Sequence, residues 1–527
     1  MQRRAVLRSL GLGVAGLAGA GFAHQHGAPE RKTGSPVVET AAGRIRGFID
    51  AGVYVFKGVR YGQDTSSRRF LAPTAVKPWT GVREATAFGP VAPQPGMRDR
   101  VMSEDCLHLN VWTPALGSGR RPVMVWFHPG AYSSGTSNEL EADGARLSRR
   151  GDVVVITVNH RLNAFGHLFL GEIGGDEFAD SGNAGILDLV LALRWVRDNA
   201  AAFGGDAGNV TVFGQSGGGA KIATLMAMPA AKGLFHKAIT MSGQQITASR
   251  VSTATRHAQQ LLDVLKISKE RVRELTTLPM DAIVKASRAP AYLGPVKDGR
   301  SLIRDPFDPD APPQSAAIPM ILGNTHDETR TLIGRGDPAI FDLTWDTLRA
   351  KLEANSPFMG DLDRGKVIAE YRRWYPKYTP PDVFFASTTA SRSWRGQVIE
   401  AERRASQPVA SDRTWVFQFD WRTPIDGGRW GAHHGLDVPF VFDNAAIVPG
   451  KVGTGTDALA LSALMSDTWL AFARTGSPQT KALEAWPAYT LARRPTMLFD
   501  RSTRVVDDPR GDERRLFEQV PYVQPGT

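Results

Sequence analysis

The strongest constraint on this chain lies at residues 209–218, N-V-T-V-F-G-Q-S-G-G, where a β-branched and aromatic run drives straight into Gly214-Gln215-Ser216-Gly217-Gly218. G-x-S-x-G after a strand predicts a nucleophile elbow, the sharp turn that lifts a serine hydroxyl clear of a sheet edge. Such a turn strains the serine backbone. A Cβ at position 214 or 218 would collide with the neighbouring strand or helix, which is why glycine flanks the serine. Beyond it, residues 217–228 (G-G-G-A-K-I-A-T-L-M-A-M) predict a helix whose N-terminus aims the positive end of its dipole at the hydroxyl. In a chain with 54 glycines the pentapeptide alone arises readily by chance. The strand–turn–helix context is what makes it specific.

A serine is a poor nucleophile until a base takes its proton and a third group orients that base. Where an elbow carries the serine, the chain order is serine, then acid, then histidine, so both partners belong downstream. Residues 319–328 (P-M-I-L-G-N-T-H-D-E) predict a short apolar strand ending in a loop with two carboxylates, Asp327 and Glu328. Residues 431–442 offer two histidines, His433 and His434, with a glycine after the second. Oxyanion donors must come from the backbone of a loop after an earlier strand. Residues 122–127 supply that strand, and His128-Pro129-Gly130-Ala131-Tyr132 is a near match to an H-G-G-G loop. The expected donors are the N–H groups of Gly130, Ala131 and Gly217; Pro129 has none to give. Tyr132 and Gln215 are expected to shape the pocket, and Ser242 and Asp437 to orient the acid and the base.

With these pieces in place the chain resembles the type-B carboxylesterases, the cholinesterase-like serine esterases, over about residues 37–478. The carrying motifs are residues 203–218 (F-G-G-D-A-G-N-V-T-V-F-G-Q-S-G-G), 104–112 (E-D-C-L-H-L-N-V-W), 159–166 (N-H-R-L-N-A-F-G), 182–188 (G-N-A-G-I-L-D) and 469–476 (W-L-A-F-A-R-T-G). The resemblance implies an α/β-hydrolase fold. It also makes Ser216 the nucleophile, Glu328 the acid and His434 the base, with oxyanion donors on Gly130, Ala131 and Gly217. Two departures carry information. The family usually has glutamate before the serine, where this chain has Gln215, and losing that anion argues against cationic, choline-like esters. The family also ties Cys106 to an earlier cysteine, where this chain has Ala92. With one cysteine in 527 residues no intrachain disulfide can form, so packing is expected to hold the loop 70–106.

Hydrophobic residues make up 42% and charged residues 22%, as in an ordinary globular protein. Length alone permits several domains. The catalytic pieces run from His128 to His434 without a repeat or low-complexity break, which predicts one domain over 24–527, with 329–411 as a helical cap. Residues 1–23 stand apart: Arg3, Arg4 and Arg8 precede an apolar, glycine-rich stretch ending in small residues. This predicts a twin-arginine type export signal cut after Ala23, and hence a periplasmic or secreted protein. The stretch is shorter than the ~20 residues a spanning helix needs, so no stable membrane insertion is expected. Its G-x-G-x-x-G at 11–16 follows no strand and is read as signal glycine, not a nucleotide site. The net charge of +10 is spread along the chain, which disfavours nucleic acid as a partner. No H-E-x-x-H or cysteine-pair spacing exists, so neither metal nor cofactor is expected.

Strand-like runs at 123–127, 153–158, 210–213, 238–241, 320–322 and 415–419 alternate with helical patterns. That alternation predicts a mostly parallel sheet covered by helices on both faces. Near the end, Asp457 is expected to cap a helix that stops at Gly476. The function expected is hydrolysis of a small-molecule carboxylic ester through an acyl-enzyme on Ser216. Amide, carbamate or lactone cleavage by the same machinery remains an alternative, as does a non-catalytic binding protein of this fold.

Overall fold

The computed structural model describes residues 35–97, 99–290, 292–355 and 357–524. The export signal expected at 1–23 lies outside them. Among the described residues an eleven-stranded sheet forms the centre. From one edge the strands run Arg504–Asp507, Pro495–Phe499, Thr414–Phe419, Met320–Thr325, Lys237–Met241, Gly205–Gln215, Arg121–Phe127, Val154–Val158, His108–Thr113, Val53–Arg60 and Phe48–Asp50. The stretch from Pro495–Phe499 to Val154–Val158 is parallel throughout, and antiparallel pairs close both sides. The expected α/β-hydrolase fold is therefore the observed one.

The pleat decides which layer each side chain joins, because successive residues of a strand face opposite sides. In Arg121–Phe127, Val123, Val125 and Phe127 join one core layer, while Met124 and Trp126 join the other. Helices Ala184–Asn199 and Gly217–Ala227 cover the first layer with Ile186, Leu189, Leu193, Ile222 and Leu225. Helix Thr456–Thr475 covers the second with Leu461, Met465, Trp469 and Phe472. Gly476 ends that helix at φ 82°, as its position predicts. Its N-cap, however, is Gly455. Asp457 lies inside the first turn and pairs with Arg501 at 3.3 Å, because the helix begins two residues earlier than the capping pattern suggests.

The loop 70–106 is held by more than packing. Arg69 and Glu104, both buried, join its two ends: Arg69 Nε donates to Glu104 Oε2 at 2.7 Å. The same guanidinium donates to the carbonyls of Leu275 and Leu278 at 2.8 and 2.9 Å. Cys106 is buried and free. Residues 329–411 are largely helical and build their own apolar cluster around Leu348, Leu352, Val367, Phe384 and Phe385. Among the described residues no helix is long and apolar enough to cross a membrane.

Candidate active site

Parallel pairing brings three strand ends together. Gln215 stands beside Met241 and Met241 beside Gly323, so the residues just after each strand, Ser216, Ser242 and 324–328, emerge at the same rim. Ser216 N–H donates to Met241 O at 2.7 Å, and Ser242 N–H to Gly323 O at 2.7 Å. Between strand Gly205–Gln215 and helix Gly217–Ala227, Ser216 takes φ 55° and ψ −126°, a region costly for any residue with a Cβ. Its glycines are sterically required. A Cβ on Gly218 would stand 1.9 Å from Phe127 O, and one on Gly214 2.6 Å from the Gly218 carbonyl carbon.

The two pairs of neighbouring candidates separate cleanly. Glu328 is fully buried and its Oε2 accepts from His434 Nδ1–H, while Oε1 accepts from Thr325 N–H at 2.9 Å and Asn324 Nδ2 at 3.1 Å. Burial alone would raise its pKa. The His434 ring, with hydrogen bonds from Ser242 and Asn324, outweighs that cost and holds the carboxyl below its usual range. Asp327 instead belongs to a structural network: it accepts from Ala432 N–H at 2.9 Å and pairs with Arg330 and Arg422. It thereby tethers the loop that carries the histidines. His433 turns its Nδ1 onto the His434 carbonyl at 3.0 Å, and burial pushes its pKa down to about 4.

Because Nδ1 of His434 carries the proton donated to Glu328, Nε2 is left with its lone pair free. The Gln215 side-chain amide lies over the face of the ring, its nitrogen 3.2 Å from Nε2 and 3.5 Å from Nδ1, and so leaves the in-plane lone pair open. Gln215 thus packs on the imidazole and does not line the cavity, which departs from the pocket role expected of it. Ser216 and His434 line one cavity of about 120 Å³, together with Ala131, Tyr132, Gly217, Ser242, Tyr292 and Arg392. Tyr132 is a wall residue, as expected, with its hydroxyl donating to Gln245 Oε1 at 2.9 Å. Asp437 is fully buried, and neither carboxylate oxygen has a hydrogen-bond partner among the described residues. Burial and the charge of Glu328 push its pKa up to about 7.

The oxyanion loop turns sharply, with Gly130 at φ 105° and Ala131 at φ 52°. The N–H groups of Gly130 and Ala131 have no acceptor among the described residues. Gly217 is the first residue of its helix, where the N–H has no carbonyl one turn back. Ala131 and Gly217 line the cavity and pack so closely that a Cβ on Gly217 would lie 2.1 Å from Ala131 O. Beneath the loop sits Lys221, fully buried, donating to Ala131 O at 2.7 Å and His128 O at 3.5 Å. Burial pushes its pKa down to about 7. Sequence reasoning missed this residue, although a lone lysine in the apolar run A-K-I-A-T-L-M was its signal. Arg392, on a cavity wall, was missed as well. His128 shapes the loop from below, its Nδ1 on Pro129 O at 2.7 Å and its ring stacked on His160. Among the described residues no cluster of three or more His, Cys, Asp or Glu side chains is placed to hold a metal.

Comparison with known proteins agrees with this geometry. The sequence profile of the Carboxylesterase family matches residues 34–517. The chain is 35% identical over 504 residues to the para-nitrobenzyl esterase of Bacillus subtilis (strain 168), covering 91% of this chain and 98% of that relative. It is 33% identical over 508 residues to carboxylesterase 3 of Homo sapiens, covering 87% of this chain and 86% of that relative. Among solved structures, a carboxylesterase of Geobacillus stearothermophilus at pH 6.2 superposes with a TM-score of 0.82 at 37% identity, covering 91% of this chain and 99% of that one.

Proposed function

The chain belongs to the carboxylesterase family and is a carboxylic ester hydrolase, and on that premise we propose that its acyl-enzyme forms on Ser216, with His434 as base, Glu328 as the acid that orients it, and Gly130, Ala131 and Gly217 as oxyanion donors. One observation carries the assignment: an imidazole tied through Nδ1 to a buried carboxylate stands at the wall of the cavity that holds the strained serine. When an ester enters, the Ser216 hydroxyl presents its proton to the open lone pair on Nε2 of His434. His434 then takes the hydroxyl proton as Oγ attacks the carbonyl carbon. Negative charge moving onto the carbonyl oxygen meets the three backbone N–H groups, each worth about 3–4 kcal/mol in the transition state. Collapse expels the alcohol, which leaves with the proton from His434. Water repeats the sequence on the acyl-enzyme and releases the acid. Glu328 stays ionised throughout and stabilises the imidazolium, and the Ser242 hydroxyl helps keep it so.

The test is turnover of p-nitrophenyl butyrate. Ser216→Ala should lose about 10⁴–10⁶ in kcat while the circular dichroism spectrum is unchanged; near-normal turnover by a folded variant would remove the assignment.

We also propose, from the N-terminal sequence, that the protein is exported from the cytoplasm. Arg3, Arg4 and the apolar stretch at 10–23 support export by a twin-arginine type route with cleavage after Ala23. The mass of the exported chain should correspond to a protein beginning at His24, and retention of the uncut chain in the cytoplasm would contradict this.

A further inference from the structure

One wall of the cavity is a π-helical turn, Ala390–Trp394, inserted between helices Pro380–Thr389 and Arg395–Ala405. A π-turn disturbs the regular helix ladder, and such turns persist mainly where they re-aim side chains at a functional site. This one brings Arg392 and Ser393 to the cavity that holds Ser216 and His434. Arg392 donates through Nη1 to Ser393 Oγ at 3.1 Å and lies 5.8 Å from the centre of the Phe358 ring. Among the described residues its other donors have no acceptor, and it forms no ion pair. That sets this half-buried side chain apart from the buried arginines among the described residues. Arg69, Arg161, Arg330 and Arg510 are paired with Glu104, Asp188, Asp327 and Glu513. Arg404, which has no carboxylate partner, directs its donors to Thr414 Oγ1 and the carbonyls of Ser315 and Ile318.

The rest of the cavity is electrically one-sided. Among the described residues no aspartate or glutamate lines it. The residue before the nucleophile is the neutral Gln215, and Glu328 is fully buried with its carboxylate turned onto His434. An arginine is charged at any working pH, and its planar fork matches a carboxylate in two-point contact. We propose that Arg392 binds a carboxylate of the substrate, so that the preferred esters carry a free carboxylate close to the scissile bond. The proposal rests on the reading of this cavity as the ester site. The cavity, at about 120 Å³, is on the scale of those of about 150 Å³ that take up a benzene ring. Because Ser216 and Arg392 border the same cavity, carboxylate and scissile carbonyl are set apart by a short chain or a single ring. Two sources share this chemistry: half-esters of small dicarboxylic acids, with the charge on the acyl side, and acyl esters of small hydroxy acids, with it on the alcohol side.

The experiment compares matched charged and neutral esters at constant ionic strength. Monomethyl and dimethyl esters of succinic, adipic and terephthalic acids probe the acyl side, and O-acetylglycolate with its methyl ester probes the alcohol side. The readout is the charged-over-neutral ratio of kcat/KM. In Arg392→Gln the ratio of the preferred pair should fall about ten- to a hundredfold, chiefly through KM, since a hydrogen bond to a charged group is worth that much. Arg392→Lys should keep part of it. An unchanged ratio in Arg392→Gln overturns the proposal, as does a wild type that favours the neutral partner in every pair. A measurement on the wild type alone guards against misfolded variants: the matching dicarboxylates should inhibit p-nitrophenyl acetate hydrolysis and the corresponding diamides should not. Equal or absent inhibition again overturns the role of Arg392. Failure to hydrolyse p-nitrophenyl acetate at all would instead remove the underlying ester-site reading.

Discussion

Asp437 concentrates the electrostatics of the site in one side chain. It lies three residues after His434, fully buried, close enough to Glu328 that the neighbouring charge adds to burial in keeping its own carboxyl protonated to about pH 7. In an unfolded chain the same group ionises near pH 4. Between about pH 4 and about pH 7 the unfolded state therefore holds fewer protons, and this residue makes the fold less stable as pH rises. Asp437→Asn removes that effect. The Tm of the variant minus that of the wild type should climb through this window and level off above it; a difference independent of pH would contradict a neutral, buried carboxyl. At this scale the sequence was legible wherever chemistry demands a residue type, as at Ser216 and the Gly130-Ala131 loop. Choosing Glu328 over Asp327, or His434 over His433, needed coordinates or resemblance. Adjacent residues share composition and spacing, and only their contacts tell them apart: Glu328 accepts from His434, Asp327 tethers Ala432 N–H, and His433 turns onto the His434 carbonyl.

Elements were legible in proportion to the physical simplicity of their burial. Runs such as residues 123–127 and 154–158 are buried on both faces, so they are apolar in the sequence, a single threonine apart, as in the fold. The antiparallel strand His108–Thr113 mixes polar and apolar residues, all buried, and carries no such signature. The π-turn at Ala390–Trp394 has none either, because its extra residue is set by packing rather than propensity. The loop 70–106 shows what replaces a covalent brace. Its ends are joined by the buried Arg69–Glu104 pair, and losing one partner of such a pair strands a charge at a cost of about 3–5 kcal/mol. Glu104→Gln should lower Tm in thermal unfolding followed by circular dichroism, whereas a reducing agent should leave the wild-type Tm unmoved. A Tm unchanged by the substitution would show that packing alone holds the loop.

Across the whole molecule, the site is an assembly of strand ends that the parallel sheet gathers at one rim. Residues 130, 216, 242 and 328 each follow a strand of the same parallel run, and the helical segment 329–411 adds Leu332, Arg392 and Ser393 to the cavity wall. This is why the reaction class was readable in the sequence and the pocket was not. Chemistry sits in compact motifs, while the pocket wall comes from segments whose meeting depends on packing. Lys221 illustrates the gap, since only the fold brings its ammonium beneath the Ala131 carbonyl. Catalysis requires a hydroxyl at position 216 made reactive by His434 and Glu328, and the most direct measurement is mass-spectrometric mapping of a fluorophosphonate adduct. A stoichiometric adduct on Ser216, formed as esterase activity disappears and strongly slowed in His434→Ala, is the predicted result. Full esterase activity with Ser216 completely modified, or loss of activity with the adduct on a different residue, would contradict it.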